Sequence, residues 1–207
     1  MSESETTIAR RNLLQSALGL SVLAAIGPTP AQAAADDATE TNASPAKSAA
    51  DVPKGLPGQF DFLSGEWRIK NRKRKADSPG GWDEFEGEAT CTSLLGGRVH
   101  VEELRIPARD FAGMGLRVLE AATGIWHDIW VNAKAGVVVG PGMPGGFEDG
   151  VGSFIVTETV DGKTSIYRSV WDRITPNSCR WHQATSNDSG QTWEMDWEMH
   201  WTRHQVF

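Results

Sequence analysis

Near its C-terminus the chain reads WEMDWEMHWTR, and large side chains recur at every second position: Trp193, Met195, Trp197, Met199 and Trp201, closed by Arg203. Successive side chains of a strand point to opposite faces, so a period of two lays these residues along one wall. The same period runs from Phe60 onward, broken by the turn formers Gly, Asp, Asn and Pro. It predicts strands over Glu66–Arg72, Trp82–Thr92, Arg98–Ile106, Gly115–Ala121, Trp126–Asn132 and Gly136–Val139. Further strands follow over Gly152–Thr159, Thr164–Arg173, Ser178–Thr185 and Trp193–His204. Asp161-Gly162 is a two-residue hairpin signal, and Ala122-Thr123-Gly124 marks another tight reversal. Short links imply antiparallel neighbours, and only Phe60–Ser64 hints at a helix. The expected fold is all-β, a single antiparallel up-and-down β-barrel of about eight to ten strands, since closure removes the edges that a flat sheet would expose.

With 207 residues, 39% of them hydrophobic, the chain can bury one good core but not two. The net charge of −7 repels polyphosphate and anionic membrane surfaces. One basic run, RIKNRKRK, spans Arg68–Lys75. Alternation puts Arg68, Lys70, Arg72 and Arg74 on one strand face and Trp67 and Ile69 on the other, which is a solvated face and not a nucleic-acid site.

Residues 1–33 form an address. Arg10-Arg11 precede a weakly apolar run from Leu13 to Gly27, then Pro28, Pro30 and the small-residue site Ala31-Gln32-Ala33. The paired arginines with Asn12, Leu13 and Leu14 resemble a twin-arginine export signal, although Ala9, Leu13 and Gln15 depart from the usual residues. Twin-arginine machinery is therefore the expected export partner, and a periplasmic or secreted location follows. The apolar run is too short for a comfortable membrane span, so no stable insertion is expected. Residues 34–58 are rich in Ala, Asp, Ser, Thr and Pro and read as a disordered spacer, leaving 59–207 as the barrel domain.

FDFLSGEWRI, from Phe60 to Ile69, is similar to the opening Gly-x-Trp strand of lipocalin-like, or calycin, barrels. Together with LLGG, GLR, GFEDGVGSF, SVWDRIT, RWHQATSNDSGQTWE and the closing WTR, it resembles an uncharacterised bacterial lipocalin-like family. The resemblance covers Phe60 to His204 and implies a barrel with a ligand cavity, without naming a chemistry. It also implies that Trp67 plugs one barrel end beneath Arg203, a cation–π contact of about 0.5–2 kcal/mol.

Several chemistries are weak here. His200 and His204 stand four apart; on a strand that separation is about 13 Å, too far to share a metal ion. His100, His127 and His182 fall on different strands, and a haem site of the kind some calycins carry would need one of them; no haem-attachment motif is present. No cofactor is called for. There is no G-x-S-x-G nucleophile motif, and GPGMPGG (Gly140–Gly146) lacks the Lys and Ser/Thr of a phosphate loop, so it reads as a connection over the barrel mouth. Cys91 and Cys179 form either a disulfide or a pair of buried thiols.

Polar residues inside strands carry more information: Glu102, Glu103, Arg117, Arg168, Gln183 and Asp196. The expected ligand site combines tryptophan walls (Trp130, Trp181 and Trp197, with Trp171) and the polar set Glu103, Arg117, Arg168 and Gln183. Arg168 and Trp171 have opposite parity on their strand, so both line a cavity only if a bulge intervenes. The reading is a small, partly apolar ligand, aromatic or anionic. Two alternatives stay open: an enzyme using a Glu103/Arg117 pair or a histidine for acid–base work, and an envelope interaction protein with no cavity.

SNDSGQTW, Ser186–Trp193, matches the S-x-D-x-G-x-T-W box of sialidase propeller blades. Propellers repeat it, whereas here it occurs once, between the last two predicted strands. Ser186 and Asp188 can accept from loop amides and Gly190 can take a positive φ, so the octapeptide reads as a hairpin clasp.

Overall fold

The computed structural model describes residues 52–204, apart from 76, 79, 137 and 139. The export signal over 1–33, with Arg10 and Arg11, and residues 34–51 of the spacer lie outside the described residues. Ten strands, β1 (Gly65–Arg74), β2 (Trp82–Leu94), β3 (Val99–Ile106), β4 (Phe111–Leu119), β5 (Trp126–Asn132), β6 (Met143–Glu148), β7 (Val151–Val160), β8 (Lys163–Asp172), β9 (Ser178–Ser186) and β10 (Glu194–Arg203), make one closed barrel. Each strand pairs antiparallel with its sequence neighbour, and β1 closes onto β10 from Trp67↔Arg203 to Lys73↔Trp197. This is the up-and-down barrel that the alternation predicts. No helix of the described residues is long and apolar enough to cross a membrane.

Burial follows parity. Trp67, Ile69 and Asn71 on β1 face inward, as do Ala89 and Cys91 on β2 and His100, Glu102, Leu104 and Ile106 on β3. The closed end of the barrel is plugged by Phe60 and the short 3-10 helix Asp61–Leu63, whose Leu63 is fully buried. Phe60 meets the rings of Trp126 and Phe147 edge-on at 5.0 and 4.9 Å and stacks on His100 at 5.7 Å. Such pairs add about 0.5–1.5 kcal/mol each beyond their buried area. Arg203 lies over Trp67 as expected, its guanidinium carbon 4.3 Å from the ring centroid.

Residues 52–58, inside the stretch whose composition reads as spacer, run along this closed end. Gly55 N donates to Gly124 O at 2.6 Å and Gly58 N to Gly97 O at 2.9 Å. A side chain at Gly55 would strike the indole of Trp126, so glycine lets the strap lie flat on the plug.

Two strand expectations are corrected. Residues 136 and 138, where a strand was expected, are not strand, and 137 and 139 lie outside the described residues; the next strand is β6, which takes up four of the seven residues of the glycine-rich run assigned to a mouth loop. Its glycines serve close approach and not a turn, because a β-carbon at Gly145 would collide with Phe154 and one at Gly146 with the Pro53 carbonyl. The second correction is on β10, where the register shifts between Met195 and Trp197. Asp196 and Trp197 both face Gln183 while Met195 opposes Ala184, so Trp193 and Met195 leave the inner wall and Asp196 joins it.

Candidate functional site

Between the plug and the other end, the barrel encloses a partly open cavity in which about 100 Å³ is open to the centre of a water-sized sphere. One buried water needs roughly 10–15 Å³ on that measure, so the space suits a small organic molecule. Its walls are aromatic, formed by Trp130, Trp171, Trp181, Trp197 and Trp201, with Tyr167 and Met143 completing the lining. Trp171 and Trp201 meet at 5.3 Å and 62°, and Trp181 and Trp197 at 5.9 Å and 87°, both edge-to-face. Trp197 is held by a hydrogen bond from its Nε1 to Asn71 Oδ1 at 3.0 Å. Strand β4 makes room for these groups. Its inward positions run Phe111, Gly113, Gly115, Arg117; a β-carbon on Gly113 would come 2.2 Å from the ring of Trp130, and one on Gly115 would sit 3.0 Å from both Arg117 Nη atoms.

At the base of the cavity one cation is shared by two carboxylates. Arg117 Nη2 lies 2.7 Å from Glu102 Oε2, and its Nε lies 3.3 Å from Asp128 Oδ1. Register explains the trio: Glu102 on β3 is across from Gly115 on β4, while Arg117 is across from Asp128 on β5. Burial by itself disfavours the charged guanidinium, but Glu102 and Asp128 outweigh it and raise the Arg117 pKa. For Asp128 burial wins: it raises the carboxyl pKa, Arg117 draws it back, and Glu102 adds to the rise. His100 sits just outside this group, stacked on Phe60 and 1% exposed. Burial first, and then the charge of Arg117, lowers its pKa to about 3, so the imidazole is neutral.

Seven buried donors of the cavity lining have no hydrogen-bond partner among the described residues: Arg117 Nε and Nη1, Arg168 Nε, Ser169 Oγ and the indole nitrogens of Trp130, Trp171 and Trp201. A buried donor left unpaired costs about 1–3 kcal/mol. These groups therefore favour a guest that brings acceptor oxygens or nitrogens.

A second polar group stands where the β10 bulge turns Asp196 inward. Gln183 Nε2 donates to Asp196 Oδ2 at 2.9 Å, and Lys73 Nζ lies 4.3 Å over the Trp197 ring. Burial raises the Asp196 pKa and lowers that of Lys73.

Of the expected ligand residues, Arg117, Trp130, Trp181, Gln183 and Trp197 come together on this cavity, as does Trp171. Arg168 lines it too, so Arg168 and Trp171 both reach the cavity despite their opposite parity and without the bulge that was expected to be needed. The Arg168 guanidinium is laid over Trp193 at 4.0 Å. Glu103 is corrected: it faces outward, 61% exposed, in an ion pair with Arg105 at 3.0 Å. Its neighbour Glu102 takes the inner place, because Leu104 and Ile106 set the inward parity of β3. Asp128 and Met143 escaped the sequence reading, although Asp128 shares its parity with Trp126 and Trp130.

The histidines do not assemble. His127 pairs with Glu120 at 3.2 Å, His182 lies 3.7 Å from Asp172 on the outer wall, and His200 lies 3.4 Å from Glu198. Among the described residues no three His, Cys, Asp or Glu are placed to hold a metal ion. Cys91 and Cys179 are buried free thiols. The SNDSGQTW octapeptide is a clasp: Gly190 N donates to Ser186 Oγ at 2.8 Å, Thr192 N to Asp188 Oδ1 at 2.9 Å, and Trp193 Nε1 to Gly190 O at 3.1 Å.

No family model and no curated protein matches the chain. Solved structures are similar at low identity. A protein of unknown function from the DUF3598 family of Nostoc punctiforme is 12% identical over 74% of this chain, with a TM-score of 0.41. The present chain spans about half of that protein's length, covering 51% of it. The S-type phycobiliprotein lyase CPES from Guillardia theta is 11% identical over 72% of this chain and 92% of its own, with a TM-score of 0.40. Rv2717c from M. tuberculosis is 10% identical over 72% and 99%, also at 0.40.

Proposed function

We propose that this barrel binds a small, flat aromatic molecule that is neutral and carries hydrogen-bond acceptors. The carrying observation is the set of seven unpaired donors on a tryptophan-walled cavity. Edge-to-face indoles favour an aromatic guest, and acceptor atoms on that guest relieve the desolvation of the donors. Of the aromatic or anionic ligand expected from sequence, the anionic half is opposed at the base of the cavity, where Arg117 already has two carboxylates on it; Arg168, laid over Trp193, has its Nε unpaired. On this reading the N-terminal signal, through Arg10 and Arg11, directs the folded barrel to twin-arginine export, and the ligand is met in the periplasm or outside the cell.

The test is a titration with neutral aromatic ketones and quinones beside matched aromatic carboxylates, followed by tryptophan emission and confirmed by calorimetry. Saturable quenching by the neutral compounds, weakened at least tenfold in Trp130→Ala, is expected. If no compound of either kind changes the emission, the binding reading falls.

A further inference from the structure

We infer that Glu102, Arg117 and Asp128 form an acid–base centre that enolises a neutral carbonyl compound held in the cavity, with Asp128 as the base and Arg117 Nη1 as the donor to the developing oxyanion. The inference rests on the binding reading above and adds a reaction to it.

The three nitrogens of Arg117 are unequally committed. Nη2 is on Glu102 and Nε is beside Asp128, while Nη1 has no partner although it is buried. Gly115 lets the guanidinium lie against the β4 backbone, since a β-carbon there would sit 3.0 Å from Nη1 and Nη2. A charged donor fixed in place and left without an acceptor is what an oxyanion requires, because no reorganisation is needed when the charge develops. The two carboxylates are unequal as well. Glu102 is the tighter partner at 2.7 Å and its side chain is 4% exposed; Asp128 is looser at 3.3 Å and 14% exposed. Glu102 therefore anchors the arginine as a positioning residue, and Asp128 keeps an accessible oxygen for chemistry. Burial moves Asp128 upward from the ordinary carboxyl range, toward the range where a general base exchanges protons most effectively near neutral pH. His100 does not compete for the role, since its ring is packed on Phe60 and is not part of the lining.

The step balances within the substrate and one side chain. The Asp128 carboxylate takes a proton from the carbon next to the carbonyl. The C–H electron pair becomes the C=C bond, and the carbonyl π pair moves to oxygen, which accepts a hydrogen bond from Nη1–H of Arg117. Return of a proton from Asp128 to the same carbon restores the ketone; return to the other end of a conjugated system gives an isomer. No oxidant, reductant or cofactor enters.

The probe is 2-tetralone, a bicyclic aromatic ketone with acidic α-hydrogens, with 2-naphthoate as the anionic congener. Purified protein is incubated with the ketone in deuterium oxide; α-deuteration is followed by NMR and binding by tryptophan emission in the same samples. Wash-in proportional to protein concentration is expected, falling about 100-fold in Asp128→Asn while binding changes less than threefold. Circular dichroism checks the fold of that variant. Asp128→Glu, which keeps the charge but shifts the carboxylate by one methylene, is expected to lose at least tenfold. Ketone that binds but exchanges at the buffer rate overturns the inference and leaves the binding reading intact, as does exchange undiminished in Asp128→Asn. Tighter binding of naphthoate than of tetralone also overturns it, because Arg117 is then a counter-ion. If neither compound binds, both readings fail together.

Discussion

Arg203 covers the indole of Trp67 at 4.3 Å and spends its guanidinium on three backbone carbonyls, those of Phe62, Ser64 and Pro176. Trp67 in turn donates from Nε1 to Leu63 O at 2.6 Å. These contacts tie the last strand to the plug helix, the start of β1 and the β8–β9 turn, so the closed end depends on one side chain. Arg203→Ala is expected to cost about 2–4 kcal/mol in urea denaturation, from lost charged hydrogen bonds and the cation–π contact. Arg203→Lys should recover less than half, since an ammonium can sit over the ring but cannot reach three carbonyls as a planar fork does.

The glycines of β4 make a paired prediction. A methyl at Gly113 would come 2.2 Å from the ring of Trp130, whereas one at Gly115 would stand 3.0 Å from the Arg117 guanidinium, a milder clash. Gly113→Ala should therefore lower stability by about 1–3 kcal/mol, as overpacking does. Gly115→Ala should cost less in stability but displace the guanidinium, so its defect appears in ligand titrations more than in denaturation curves.

What the sequence made legible, and what it hid, divides along the same physical line. The barrel and the Trp67–Arg203 lid follow from alternation and from the Gly-x-Trp resemblance, and both depend on residues that repeat a rule. Glu102 was legible in principle, because Leu104 and Ile106 mark the buried parity of β3 and Glu103 lies off it. The inward turn of Asp196 was not. A bulge shifts parity by one residue through backbone pairing with β9, and nothing in WEMDWEM distinguishes a regular strand from a bulged one. Strand β6 was hidden for a related reason, since Gly145 and Gly146 look like loop residues until the partners that crowd them are in place.

The clasp at Ser186–Trp193 predicts an acid limit. Hydrogen bonds from Thr192 and Ser186 lower the Asp188 pKa to about 2. Unfolded, the same carboxyl has the ordinary value of 3.8. A depressed carboxylate contributes stability above its unfolded pKa and loses it as pH falls through the folded one. The hairpin tip should thus keep its amide protection at pH 4 and loosen between pH 3.8 and 2. Asp188→Ala should show that loose tip at neutral pH, read by hydrogen exchange at Gly190 and Thr192.

Cys91 and Cys179 predict a silent thiol assay. Burial raises both thiol pKa values, with the nearby Glu102 carboxylate adding to the rise, so little thiolate is present near neutrality. Ellman's reagent should react with neither cysteine in the folded protein and with both after guanidinium unfolding. Rapid native reaction, or no reaction after unfolding, contradicts buried free thiols.

His100 predicts a pH dependence whose sign is opposite to that of a paired histidine. Its folded pKa lies near 3 and its unfolded value is 6.5, so between those limits the unfolded chain binds a proton that the folded chain refuses. Stability contributed by this site is complete above pH 6.5 and falls as pH drops, by about 1.4 kcal/mol per unit at full slope. Asp128 works in the other direction. Its raised carboxyl keeps a proton above 3.8 that the unfolded chain has released, which lowers stability as pH rises. Comparison with a variant separates the two: His100→Phe keeps a ring stacked on Phe60 but has no proton to bind, while Asp128 is present in both proteins. Chemical denaturation of both at half-unit steps from pH 7 to 4 should show the wild type losing stability faster than His100→Phe throughout that range. Parallel curves would mean that His100 accepts its proton inside the folded barrel, and the neutral imidazole beside Arg117 would have to be given up.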